Sequence, residues 1–327
     1  MEYSFYIYLE IFISVAFFCL NGAMTRLFWL KIGKNRQSIR VYQAAFCLIG
    51  SIAYFISAAT SEAGLKASAM TVFYAVLFGI FFALASHLSS ECILCGPMSL
   101  TSLIMNLSLL IPLVYSCIFF KEKIGSVRLI GIGLLLITFA MSAFSSSGKS
   151  GGGQDEAEDG GKGEGVKSKS VPARWIILVF IGFLANGLTA VIQKMQQSRD
   201  ADAGNTFLFL AYLVSAIYFA VLFFAEDSGE RRERRKSGSH LSLKNYYNSI
   251  PLLAVAIFSA GIGSFVGNGL LGTLSTKVDA ALLYPSINGG LAIMTAIVSF
   301  VFLKEKVTVK KALTLLVGVA AIILLNM

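Results

Sequence analysis

The chain has 327 residues, 56% of them hydrophobic and only 14% charged, with a formal net charge of +9. A soluble domain carries roughly a quarter charged residues. So few charges cannot cover a water-exposed surface of this size, and the chain reads as a membrane protein. Its basic residues sit between apolar runs, where topology-setting charges belong. That placement excludes nucleic acid as the partner, and the five cysteines, mostly inside apolar runs, make no disulfide framework.

A hydrocarbon core about 30 Å thick takes roughly 20 apolar residues of helix. Such runs are expected over 5–28, 39–59, 69–90, 98–120, 126–145, 174–195, 205–225, 250–273, 280–303 and 309–326. In lipid each must satisfy its own backbone hydrogen bonds, so each is a helix. The expected fold class is all-α and integral to the membrane, with ten transmembrane helices.

The first run lacks the basic n-region and the A-x-A site of a cleaved signal peptide, so it is expected to be retained as a span. It carries Glu10 near its start, then Ser14, Asn21 and Thr25 on one helical stripe. The third run ends in "HLSSECILC" (87–95), which gathers His87, Glu91, Cys92 and Cys95. One histidine and one CxxC are a weak metal signal, and no metal or other cofactor is expected. Ser99, Ser102 and Asn106 line up in the fourth run, which also holds Pro112. It closes on "KEK" (121–123), expected to be interface anchors and turn charges, with a gating ion pair as the alternative.

Residues 146–173 are rich in Gly, Ser and both signs of charge, and are expected to be a disordered linker. The acidic "QDEAED" within it lacks the spacing of a metal loop. The sixth run offers Asn186, Thr189 and Gln193 as a stripe. A basic insert, "EDSGERRERRKSGSH" (226–240), lengthens the loop before the eighth run as a solvated or headgroup-facing segment. The eighth holds Gly263-xxx-Gly267, which favours close helix packing, and Asn268. In the ninth, Tyr284, Asn288, Thr295 and Ser299 share a stripe, Pro285 is expected to interrupt the helix, and Gly289 and Gly290 follow Asn288.

The charged knot recurs as "KEK" at 304–306, 183 positions after the first. A second landmark recurs too: "LNGAMTRLFWL" (20–30) has a counterpart in "ANGLTAVIQKM" (185–195). The interval from Asn-Gly to knot is 100 residues in the first half and 118 in the second, and the basic insert accounts for the excess. Two landmarks in the same order point to a duplicated five-helix unit, 1–145 and 174–327. Because five is odd, the second copy enters the membrane from the opposite side, as in the inverted repeats of many transporters.

The stretches "GPMSLTSLIMNLSLLIPLVYSCIFFKEKIG" (96–125) and "LLYPSINGGLAIMTAIVSFVFLKEKVT" (282–308) resemble the two halves of the drug/metabolite transporter superfamily, and more narrowly its EamA-like branch. In that branch each half ends in a Pro-bearing helix, an acidic-basic hairpin and a Gly-containing last helix. The resemblance implies a carrier of small metabolites or drugs, since members move amino acids, sugars, nucleotide-sugars or cationic drugs. It also implies both termini in the cytoplasm. The Lys/Arg count opposes this, because the heavier share falls on the side of the linker and the basic insert, which the positive-inside rule places in the cytoplasm.

Polar side chains in lipid face a bundle interior or a wet cavity. The expected solute-binding set is Asn21, Thr25, Ser102, Asn106, Asn186, Gln193, Asn268, Tyr284, Asn288 and Thr295. Aligned on the knots, Asn106 falls opposite Gly289, so both halves offer an amide at nearly one depth. Interhelical hydrogen bonding uses the same residue types and stands as the alternative. Pro112, Pro285 and Gly289 are the expected hinge, with packing kinks the alternative, and Glu10, His87 and Glu91 the candidate coupling groups. With carboxylates scarce in the apolar runs, weak or absent proton coupling is expected. No GxSxG, P-loop or HExxH is present, so no enzyme is expected. The reading is a secondary carrier for a neutral, zwitterionic or aromatic solute, multi-pass in a bacterial plasma membrane. A second copy of the chain is admitted as a partner. The alternatives are a divalent-cation carrier on the same fold and a membrane subunit without transport.

Overall fold

A computed structural model describes residues 5–32, 36–95, 98–122, 124–147, 173–225, 243–302 and 309–325. The basic insert, most of the linker, Lys123 and the second knot, Lys304 to Lys306, lie outside the described residues. Every regular element described is a helix: α1 (Phe5–Ile32), α2 (Arg36–Thr60), α3 (Ala69–Cys95), α4 (Met98–Leu107), α5 (Leu110–Phe119), α6 (Ser126–Ser147), α7 (Ala173–Arg199), α8 (Gly204–Phe224), α9 (Leu243–Lys277), α10 (Ala280–Phe302) and α11 (Val309–Leu325). Six of them contain a stretch long and apolar enough to cross a bilayer: α1, α2, α3, α7, α8 and α9. Large apolar side chains such as Phe12, Ile52, Phe73, Ile177, Ile217 and Phe258 point outward and are exposed. A water-soluble protein does not carry apolar surface on this scale; on a multi-pass membrane protein it is the lipid face.

The one run that becomes two helices is the fourth, and Pro112 is the cause. Proline has no N–H, and its ring crowds the carbonyl four residues back, which here belongs to Ser108. The chain crosses the break in tight turns, with Ser108 N donating to Met105 O at 3.2 Å, Leu109 N to Asn106 O at 3.4 Å and Ile111 N to Ser108 O at 3.0 Å. Pro285 behaves differently, and the expected interruption does not occur. It is the sixth residue of α10, which runs unbroken from Ala280 to Phe302. So near a helix start, a proline removes one ladder bond and leaves many turns to hold the axis.

The two halves of the chain interlock. Apart from the sequence neighbours α4 with α6 and α10 with α11, the extensive contacts join a helix before residue 148 to one after residue 172. The main pairs are α1 with α9, α3 with α7, α2 with α8 and α6 with α11. Small residues allow close approach: a Cβ on Gly263 would lie 2.6 Å from Phe17 O, and one on Gly79 2.5 Å from Ala211 O. The largest core cluster, around Tyr42, Tyr54, Phe78, Phe207, Tyr212 and Phe219, fills the space among α2, α3 and α8.

Turns gather at both ends of the bundle. At one end the α1 start meets the α5–α6 and α9–α10 turns through Glu10–Lys277 at 3.6 Å and Arg128–Asp279 at 3.1 Å. The α2–α3 and α7–α8 turns meet there too, with Thr71 Oγ1 donating to Asp200 Oδ2 at 3.1 Å and Thr206 Oγ1 to Gly64 O at 3.4 Å. The opposite end ties the start of α2 to the ends of α3 and α8 through Arg36–Glu91 at 3.0 Å and Arg40 Nη1 to Leu222 O at 3.1 Å.

Candidate functional site

The ten polar residues expected to bind solute fall into three places. The first is a buried network on α9. Asn268 Nδ2 donates to Tyr212 OH at 2.9 Å and to Ser264 O at 3.1 Å. Tyr212 OH also bonds the Ser264 hydroxyl, and Gln193 Nε2 donates to Asn268 O at 2.8 Å. Gln193 is 2% exposed and Asn268 7%. Their amide donors are spent on neighbouring helices, which is how a polar group survives in a low-dielectric core. Asn21 behaves likewise, donating to Ala260 O at 3.1 Å, while Thr25 Oγ1 shares a 2.8 Å hydrogen bond with Tyr42 OH.

The second place is the break between α4 and α5. Asn186 Nδ2 donates to Ser108 Oγ at 2.6 Å and more weakly to Met105 O at 3.4 Å. It thereby reaches the turn that separates α4 from α5, where Met105 O also accepts Ser108 N and Ser108 Oγ. Asn186 remains exposed and Asn106 half-buried, so this amide pair keeps access that Gln193 and Asn268 have lost. Ser102 lies on α4 with its side chain outside the described residues.

The third place is α10. Tyr284, 4% exposed, donates its hydroxyl to Ala190 O on α7 at 3.3 Å. Asn288 Nδ2 turns back to Tyr284 O at 3.0 Å and stays half-buried. Thr295 is exposed, with Cys19 Sγ at 3.9 Å from its hydroxyl. Gly289 is a packing position, since a Cβ there would come within 2.8 Å of Leu135 Cδ1 on α6. Tyr284 and Asn186 both contact or belong to α7, so the second and third places flank one helix.

Of the expected coupling groups, Glu91 is paired with Arg36, and Glu10 sits opposite Lys277. The His87 ring lies 6.3 Å from that of Tyr218. Two surface concavities take none of the ten residues. One, about 390 Å³, lies between α3 and α7 and includes Thr71, Tyr74, Gln196 and Arg199; the other is an apolar groove along α2 and α9.

Glu122, expected as an interface anchor or turn charge with an ion pair as the alternative, is found in an ion pair. Its carboxylate pairs with Lys194 on α7, and the two side chains are only 14% and 5% exposed. The second carboxylate oxygen accepts Ala280 N at 2.7 Å, capping the start of α10. Lys194 Nζ also lies 4.9 Å from the centre of the Phe120 ring, within cation–π range. A basic residue inside the apolar run "ANGLTAVIQKM" was the available signal, because a charge at that depth demands a partner. What the sequence did not disclose is which carboxylate answers it.

Residues 173–327 match the family model of the EamA-like transporter family. No curated protein matches the chain. Among the solved chains that match is one titled only as the crystal structure of a protein. It superposes with a TM-score of 0.68 over 97% of this chain and 94% of its own, at 12% identity. That likeness shows a shared fold over almost the whole chain.

Proposed function

We propose that the chain, whose residues 173–327 match the EamA-like transporter family, is a secondary carrier of a small organic solute, working by alternating access. In this reading α1, α2, α3, α4–α5 and α6 are one five-helix unit, and α7 to α11 its inverted copy. The observation that carries the reading is the packing pattern. Exchange the units, helix for helix, and α1–α9 becomes α7–α3, α2–α9 becomes α8–α3, and α1–α10 becomes α7 with α4–α5. The pairs α2–α8 and α6–α11 map onto themselves, and all of these are principal contacts of the bundle. Two interlocked inverted units have two equivalent ways to pack, one open to each membrane face, and that is the basis of alternating access.

The solute site is placed at the α4–α5 break and the facing stripe of α10, where Asn106, Asn186, Tyr284 and Asn288 flank α7. The exposed amide of Asn186, with the half-buried amides of Asn106 and Asn288, suits a neutral or zwitterionic molecule, and the plasma membrane is the proposed location. The test is a thermal-shift screen of purified protein against amino acids, sugars, aromatic metabolites, cationic drugs and Mg²⁺, followed by counterflow of each stabilising compound in proteoliposomes. Saturable counterflow of an organic solute is expected. Stabilisation and flux by Mg²⁺ alone would transfer the reading to a cation carrier, and no flux of any compound would remove the transport reading.

A further inference from the structure

We propose that Glu122 and Lys194 form the latch of a gate, closing the bundle at the end where the α5–α6 and α9–α10 turns meet. The proposal rests on the carrier reading and adds to it the residues that hold one face shut. The α5–α6 turn belongs to the first five-helix unit, while Lys194 and Ala280 belong to the second. A single carboxylate therefore ties the units together twice, by an ion pair to α7 and a hydrogen bond to the start of α10. Any motion that parts the units at this end must first release it.

Three further features set this pair apart from a surface anchor. Lys194 is buried and Glu122 largely so, where an ion pair is worth keeping only if its partners stay together. Lys121, next to Glu122, holds φ at 54°, a left-handed backbone for a residue with a side chain. Such strain persists where the surroundings enforce it and collects at switching segments; here it turns the glutamate inward. Ser116, whose carbonyl accepts both Phe120 N and Glu122 N, keeps a buried hydroxyl with no partner among the described residues. The turn is thus locked in an arrangement that leaves local needs unmet, which suits a segment with a second resting position. The outer pairs, Arg128–Asp279 and Glu10–Lys277, are more exposed and act as a weaker rim.

Lys194 lies eight residues after Asn186, whereas the residue eight after Asn21 is Trp29, with Arg26 and Lys31 the nearest bases.

The experiment needs no solute. In full-length protein with Cys19, Cys47, Cys92, Cys95 and Cys117 replaced by alanine, Ala190→Cys places a thiol one turn deeper than Lys194 on the same face of α7. Its alkylation by a membrane-impermeant maleimide is timed in proteoliposomes. Glu122→Gln and Lys194→Gln are each expected to speed labelling by about tenfold, because removing one partner leaves the other charge uncompensated. The double variant is expected to label no faster than the faster single one, the mark of a shared interaction. Arg128→Gln is expected to change the rate by about twofold, as for an exposed pair. Unchanged labelling in both single variants, or multiplied effects in the double, would overturn the latch. Should either Gln variant lose its monodisperse profile, Glu122→Cys with Lys194→Cys replaces it, bridged by a short, reducible bis-methanethiosulfonate. The bridged protein is expected to shield the thiol introduced by Ala190→Cys and the reduced protein to expose it; equal labelling in both would overturn the proposal. Accelerated labelling without flux of any solute would leave the latch standing and remove the carrier reading.

Discussion

Asn21-Gly22 in α1 and Asn186-Gly187 in α7 are the same two residues, at matching points of the two proposed units, yet they keep different company. Asn21 gives its amide to Ala260 O on α9, beside the close approach of Gly263 to α1. Asn186 gives its amide to Ser108 Oγ, inside the break of the fourth span. Among the described residues, nothing lies within 4 Å of the place a Cβ on Gly22 would take, whereas a Cβ on Gly187 would lie 2.6 Å from Ile111 Cβ. A repeated motif fixes where a helix offers its amide; the partner helix decides what that amide does. In α7 the partner is broken by Pro112, and the doublet becomes part of a candidate site. In α1, Asn21 is tied to the continuous helix α9 while Gly22 meets open space.

The largest test of that difference is steric. Gly187→Leu drives a side chain into Ile111 and is expected to destabilise the protein by about 1–3 kcal/mol, the usual cost of overfilling a packed contact. Gly22→Leu is expected to leave the melting temperature in detergent near that of the parent. Adding Ile111→Ala to Gly187→Leu should recover part of the loss. Equal melting of the two leucine variants would erase the asymmetry between the halves.

The next test separates binding from packing. Asn186→Ala removes an exposed amide from the proposed solute site and is expected to weaken solute affinity by about 1–3 kcal/mol, the cost of a hydrogen bond lost in a desolvated place. That is roughly 5- to 150-fold in the counterflow concentration dependence. Asn21→Ala should leave affinity in place and lower stability by about 0.6 kcal/mol, the average for an interhelical polar contact in lipid. The reverse assignment, with affinity lost at Asn21 and stability at Asn186, would move the site to α1.

These distinctions mark where the sequence stops being readable. Apolar runs between charges located the described helices closely, because length and hydropathy are local properties, except that the fourth run splits in two and α9 starts at Leu243 rather than 250. The effect of a proline is not local in the same way. Pro112 and Pro285 look alike in sequence, but only the first lies far enough from a helix start to split it. Side-chain partners are less legible still. A helical stripe joined Asn186 to Gln193, and Asn268 stood as a candidate beside Gly267; neither reading could tell an amide with access from one spent on Tyr212 and Ser264. Glu122 meets a related limit: a charge in a turn reads as an interface anchor until the chain is seen to fold it back onto Lys194.

The smallest effect is the most discriminating. Glycine inside a helix is worse than alanine by about 0.8–1 kcal/mol, and Gly22 has open space where a methyl would go. Gly22→Ala is therefore expected to raise stability by up to about 1 kcal/mol in the arrangement described here. If the two units exchange arrangements during transport, however, α1 adopts in the other state the surroundings that α7 has now. Gly22 would then meet Met294, which stands ten residues before Lys304 as Ile111 stands ten before Lys121. A methyl harmless in one state would crowd the other, so the same substitution should raise the melting temperature and slow solute flux together. Measuring both on one preparation checks the exchange directly. A higher melting temperature with undiminished flux would mean that Gly22 is open throughout the cycle, and that the doublets do not trade places.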